Sequence, residues 1–105
     1  MATFSNTSVH NVALSPTTVF TSTSDSTLIL SILVCNVAGS DSTVTCTHLN
    51  SSDAVLASLA EPITVPANAN VDLIGNKFVI PSGNKLQLSS TVTDSLDCSI
   101  STVVI

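Results

Sequence analysis

Few side chains in this sequence could support covalent or acid–base chemistry: His10 and His48, Cys35, Cys46 and Cys98, and seven carboxylates. Nucleophilic catalysis needs an imidazole beside a nucleophile and an acid that orients it. No GxSxG-like context surrounds either histidine. Serine and threonine make up 32 of the 105 residues, so a hydroxyl near an imidazole would carry no information. No catalytic residue is assigned, and the chain is not expected to be an enzyme. The cysteines lack CxxC spacing, which argues against a zinc site. Buried free thiols are the expected state for a chain made in a cytoplasm, with a cross-strand disulfide between Cys35 and Cys46 as the alternative. Asp25, Asp41, Asp53, Asp94 and Asp97 fall at expected turns, where Asx hydrogen bonds account for them, and no EF-hand spacing is present. No metal or cofactor is expected.

The element that must position all of these is the stretch Leu28 to Val37, LILSILVCNV. It carries no charge and is about half as long as the roughly 18 to 20 apolar residues of a bilayer crossing, so it reads as a buried strand. With period two, Leu28, Leu30, Ile32 and Val34 share one face; Ile29, Leu33, Cys35 and Val37 share the other. An antiparallel strand normally has one dry face and one wet one, so a second apolar face calls for a cover. The expected cover is another subunit, with Leu28, Leu30, Ile32 and Val34 at the contact. The turn residues Ala38 to Ser42 predict a hairpin to Thr43–Leu49, with Val37 opposite Val44, Cys35 opposite Cys46 and Leu33 opposite His48.

Bulk composition narrows the classes further. A hydrophobic fraction of 44% with only 9% charged residues is the reverse of a disordered chain. Thr, Val and Ile alternating with Ser predict an all-β fold. The net charge is −5 with Lys77 and Lys85 as the only cations, too few for phosphates or anionic lipid, so neither nucleic acid nor membrane is an expected partner. No basic start followed by an apolar run opens the chain, and synthesis in a cytoplasm is expected.

The length predicts one domain over residues 1–105, and residues 1–24, free of Asp, Glu, Lys and Arg, read as an extended N-terminal strand or arm able to pair with a neighbour. Ala2 to Val12 and Thr18 to Thr23 are its two extended pieces. Ala54 to Ala60 reads as a strand ending at Glu61-Pro62, with a short helix as the alternative. Gly75-Asn76 predicts a two-residue hairpin between Val71–Ile74 and Lys77–Ile80. Leu86, Leu88 and Val92, then Leu96, Cys98, Ile100 and Val104, alternate with polar residues and give two strands around a turn at Thr93–Ser95. Phe4, Phe20 and Phe78 are expected in the core. About eight strands with turns every eight to twelve residues predict a single antiparallel β-sandwich of jelly-roll type.

From Ala60 onward the run AEPITVPANANVDLIGNKFVIPSGNKLQLSSTVTDSLDCSISTVVI resembles small virion proteins of tailed bacteriophages. The resemblance is carried by a strand leading to a Pro-Ala-Asn loop (Val65 to Asn68), the turn Gly83-Asn84-Lys85, the LxLSS strand Leu86 to Ser90, and a closing strand. The upstream TLILSILVCNVAGSDSTVTCT is also similar. The resemblance implies a capsid decoration or cement protein, or a neck, tail or baseplate component. Its expected form is a homo-oligomer, commonly a trimer, partnered by the major capsid protein or other virion proteins and located on the virion. A carbohydrate- or receptor-binding fibre module is the alternative, disfavoured because the chain has no Trp or Tyr to stack on a sugar.

Overall fold

The computed structural model describes residues 3–23, 26–74 and 76–104. Nine strands form among the described residues: β1 (Thr3–Val9), β2 (Thr17–Thr21), β3 (Thr27–Asn36), β4 (Ser42–Leu49), β5 (Val55–Val65), β6 (Asn70–Asp72), β7 (Phe78–Ile80), β8 (Lys85–Ser90) and β9 (Leu96–Val104). No helix occurs among the described residues. One sheet has the order β1-β9-β3-β6, with β7 also on β3, and the other has the order β2-β8-β4-β5. All pairings are antiparallel. Since β6 and β7 pair with opposite halves of β3, they act as one interrupted strand, which leaves eight strand positions. That order is the jelly roll expected from the sequence.

Its topology overturns the hairpin between β3 and β4. They lie in different sheets, so β3 is flanked by β9 and β6/β7, while β4 is flanked by β8 and β5. A jelly roll carries most consecutive strands across the sandwich, and a short turn-rich link serves that crossing as well as it serves a hairpin. The disulfide expected between Cys35 and Cys46 falls with the hairpin: all three cysteines are free, Cys46 points into the core, and Cys35 is half-buried in the other sheet. The expected hairpin at Gly75-Asn76 is likewise replaced by two three-residue strands laid end to end along β3; Gly75 itself lies outside the described residues.

Burial along β3 is decided by a bulge. Ile29 opposes Thr102 and Ser31 opposes Ser101, which leaves Leu30 as an extra residue that inverts the alternation. The inward set is therefore Thr27, Ile29, Ile32, Val34 and Asn36, all buried, and the outward set is Leu28, Leu33, Cys35 and Val37. The stripe expected at a subunit contact is split by this shift. Ile32 and Val34 are 0% exposed inside their own chain and are not available to a partner, whereas Leu28 and Leu30 are half-buried.

Between the sheets, Ile32, Val34, Leu96 and Ile100 meet Val44, Leu86, Leu88 and Val65 in one apolar cluster. Fully burying side chains of this size contributes about 1.5–3 kcal/mol each before conformational entropy is charged against it. Among the described residues, every buried side-chain nitrogen and oxygen has a hydrogen-bond partner. The Nδ2 of Asn36 donates to the carbonyls of Ser40 and Val65, both at 2.9 Å, and its Oδ1 accepts from the Ala38 amide at 2.8 Å. Ser95 donates to Ser42 at 3.0 Å, and Ser42 lies 3.3 Å from the Ser90 hydroxyl, closing the link between β3–β4 and β8–β9.

Elsewhere the expectations meet the structure unevenly. Residues 55–60 are strand, and the strand continues through Pro62 to Val65, because β5 is an edge where a missing N–H goes unnoticed. The closing strand is fixed between β1 and β3. Phe20 and Phe78 pack on the core, but Phe4 is 75% exposed, on the outer side of the edge strand β1. Asp53 and Asp94 hold left-handed turn conformations, whereas Asp97 sits within β9 rather than at a turn. Asp25 lies outside the described residues.

Candidate interaction surface

The outward face of the β1-β9-β3 sheet is built in cross-strand rows by the register of its strands. At one end Phe4, Val103, Leu28 and Val79 stand opposite one another. Asn6, Ser101 and Ser31 form the next row. Ser8, Ser99, Leu33 and Asp72 follow, and the last row joins Asp97, Cys35 and Asn70. Sequence alternation places hydroxyls and amides in the middle of this face, with apolar side chains toward both ends. Phe4 (75%), Val37 (53%), Val79 (50%) and Leu33 (40%) are the exposed large ones.

A depression of about 290 Å³ opens on this face where β1 ends, lined by Ser8, His10, Leu33, Cys35, Asp97 and Ser99 with parts of Val9 and Cys98. His10 comes to its rim because Asn11 takes a left-handed conformation, and Oδ1 of Asp97 accepts the Asn11 amide at 2.9 Å and meets His10 Nδ1 at 2.9 Å. The imidazole is 79% exposed. Nucleophilic catalysis would need the imidazole between thiol and carboxylate. Here Asp97 stands between, opposite Cys35 in register and bonded to His10, and among the described residues no hydrogen bond joins Cys35 to His10. The arrangement is a surface hydrogen bond between imidazole and carboxylate, without the order a charge relay needs.

The second histidine is remote from this face. His48 on β4 accepts a hydrogen bond at Nε2 from Asn84 Nδ2 at 3.1 Å and lies beside the Phe78 ring. Burial lowers its pKa, and the amide donor agrees with a neutral ring, since a protonated one would set N–H against N–H. Cys46 and Cys98 face the core from opposite sheets, and burial pushes both thiols up to about 12, with Cys98 adding to the effect on Cys46. They are inert at neutral pH. No cluster of three His, Cys, Asp or Glu converges on a point among the described residues.

The long-range juxtaposition of His10, Cys35 and Asp97 escaped sequence reasoning because residues 87 positions apart are joined only by the β1–β9 register. The exposed Phe4 escaped it as well, although the polar run Ser5 to Ser8 that follows it was a usable signal.

Compared with solved structures, the fold is similar to that of a Bacillus endospore appendage from a family of disulfide-linked pili. The TM-score is 0.59 at 10% identity, and the likeness covers 98% of this chain and 87% of that one. It is also similar to a chain of the T13 particle of infectious bursal disease virus, with a TM-score of 0.56 at 9% identity. There it covers 98% of this chain but only 31% of the viral one. Identities this low establish a shared fold. No protein-family model matches the chain, and no curated protein matches it.

Proposed function

We propose that this chain is a structural subunit of a virion, most specifically a capsid decoration protein, that docks through the outward face of its β1-β9-β3 sheet. The supporting observation is that face itself. It is open, carries Asp97 and Asp72 as its acidic side chains, and mixes hydroxyls with exposed Leu33, Val37, Val79 and Phe4. Apolar side chains exposed at both ends of one face suit a contact, and the hydroxyls between them keep the free subunit in solution with only two carboxylates to desolvate on docking. The mechanism is mass action: a subunit that binds only the assembled shell stabilises that shell. The jelly roll it shares with a viral particle chain supports this reading, as does the resemblance of residues 60–105 to phage virion proteins. A neck, tail or baseplate position would use the same face. A receptor- or carbohydrate-binding fibre module has less support, since the face offers Phe4 alone as an aromatic platform.

A second reading has its own observation. The likeness to the endospore appendage protein spans nearly the whole of both chains, so a filament subunit is the competing role. In that role Cys35, the thiol that faces outward, would be the one able to link subunits.

Electron microscopy of particles made with and without this gene product tests the virion reading. Added density on the shell supports decoration, and density at the neck or tail supports the other virion positions. Absence of the protein from purified particles refutes all of them. Ladders on non-reducing gels that collapse with Cys35→Ser would support the filament reading.

A further inference from the structure

The sandwich has four free edges, and three are defended against pairing. β5 carries Pro62, Glu61 and three irregularities in its register with β4. β2 has five residues and a bulge, and the β6/β7 edge is broken into two pieces of three residues. Pro, charge, bulges and short length are the devices by which sheets avoid adding foreign strands. β1 has none of them. It pairs with β9 through seven residues without a shift, contains no Pro, Gly or charged side chain, and turns its other side outward.

We propose that β1 pairs antiparallel with β1 of a second copy, about a two-fold axis at Asn6, joining two sheets into one. The occupant follows from the other edges. An open edge needs another open edge, and β1 is the only undefended one among the described residues, so the contact is isologous. Charge points the same way: two chains of net charge −5 repel, and their nine charged residues all follow position 24, leaving the β1 strand free of like-charge opposition. Full overlap of Thr3–Val9 sets Phe4 opposite Ser8 of the second copy, about 5 Å away across the new ladder. Ser8 lines the 290 Å³ depression, so the exposed ring of each copy is delivered to the rim of the other's depression. A solvent-exposed aromatic and an open hollow thereby meet across the pairing. The pairing is independent of where the chain sits in an assembly.

Light scattering on size-exclusion fractions of the purified chain is the test. A dimer is expected, and Asn6→Lys, which opposes two lysines at the axis, should give a monomer with an unchanged circular dichroism spectrum. An equimolar mixture of Asn6→Lys and Asn6→Asp should recover the dimer, a result that misfolding cannot mimic. Should Asn6→Lys fail to fold, Phe4→Ser and hydrogen exchange on the natural chain replace it: amides of Thr3–Val9 should gain protection as concentration rises. A natural chain that stays monomeric up to about 1 mM overturns the proposal. So does a dimer that survives Asn6→Lys, a mixture that fails to recover it, or β1 exchange that ignores concentration. A dimer with no density on virions would leave the pairing standing and remove the virion reading.

Discussion

Adjacent residues on β3 provide a sharp test of where the chain's own cover ends. Ile32 is 0% exposed and packed between the sheets, whereas Leu33 is 40% exposed on the outward face. Ile32→Ala removes three carbons from a closed core and leaves a cavity, at a cost of about 2–5 kcal/mol. For a domain of this size each kcal/mol lowers the melting temperature by about 4–8 °C, so a loss of at least about 8 °C is expected. Leu33→Ala loses only the covered part of its side chain and leaves no enclosed void, and should cost about 1 kcal/mol. Urea unfolding of both variants, at a dilution where the chain is monomeric, measures the difference directly through the midpoint at constant slope. Equal losses within about 0.5 kcal/mol, or a larger loss for Leu33→Ala, would refute the bulge at Leu30 and the inversion of faces derived from it.

Four further outcomes are expected. Asn36→Ala should destabilise by about 2–4 kcal/mol, because it strips partners from the Val65 and Ser40 carbonyls and the Ala38 amide, of which the Val65 carbonyl is buried; chemical denaturation checks this. Native alkylation should modify Cys35 alone, with Cys46 and Cys98 reacting only in denaturant, as mass spectrometry would show. His48 has a folded pKa below its ordinary 6.5, so the unfolded chain takes up the proton first: stability is full above about pH 6.5 and falls as the pH drops below it. Thermal melts at pH 7.5 and 5.5 should show that loss, and His48→Gln should reduce it. Gly83→Ala should cost at least about 1 kcal/mol in the same melts, since Gly83 has φ +86° and a new Cβ would sit 3.4 Å from Ser51 Cβ.

The parts of the fold that could be read from the residues are those where one face is dry and the other wet. Leu86 and Leu88, then Leu96, Cys98 and Ile100, alternate with polar residues, and each points into the core as expected. What could not be read was anything that depends on partners. The link Ala38–Asp41 has the same turn chemistry whether it closes a hairpin or crosses a sandwich, so β3 and β4 were paired with each other instead of with β9 and β8. Leu30 gives no sign in its side chain that it is the bulged residue, yet it decides which half of the greasiest strand faces solvent. The surface was legible in kind, hydroxyl-rich with apolar patches, but its residues were the wrong alternate set: Leu33 and Val37 are outward where Ile32 and Val34 were expected. Phe4 was misplaced because a large aromatic defaults to the interior.

Every buried polar residue among those described is a hydroxyl or an amide: Ser22, Thr27, Asn36, Ser42, Ser90, Ser95 and Thr102, with no carboxylate or ammonium. The ion pair of Lys85 with Asp53, at 2.7 Å, sits at the surface with Asp53 65% exposed, where such pairs contribute little. Dissolved ions therefore have nothing inside to screen. The folded chain should keep nearly the same strength in fresh water as in brine, while contacts between separate molecules, each negatively charged, should tighten as salt quenches their mutual repulsion. Ionic strength then becomes a control on association alone, leaving the architecture of the single subunit untouched.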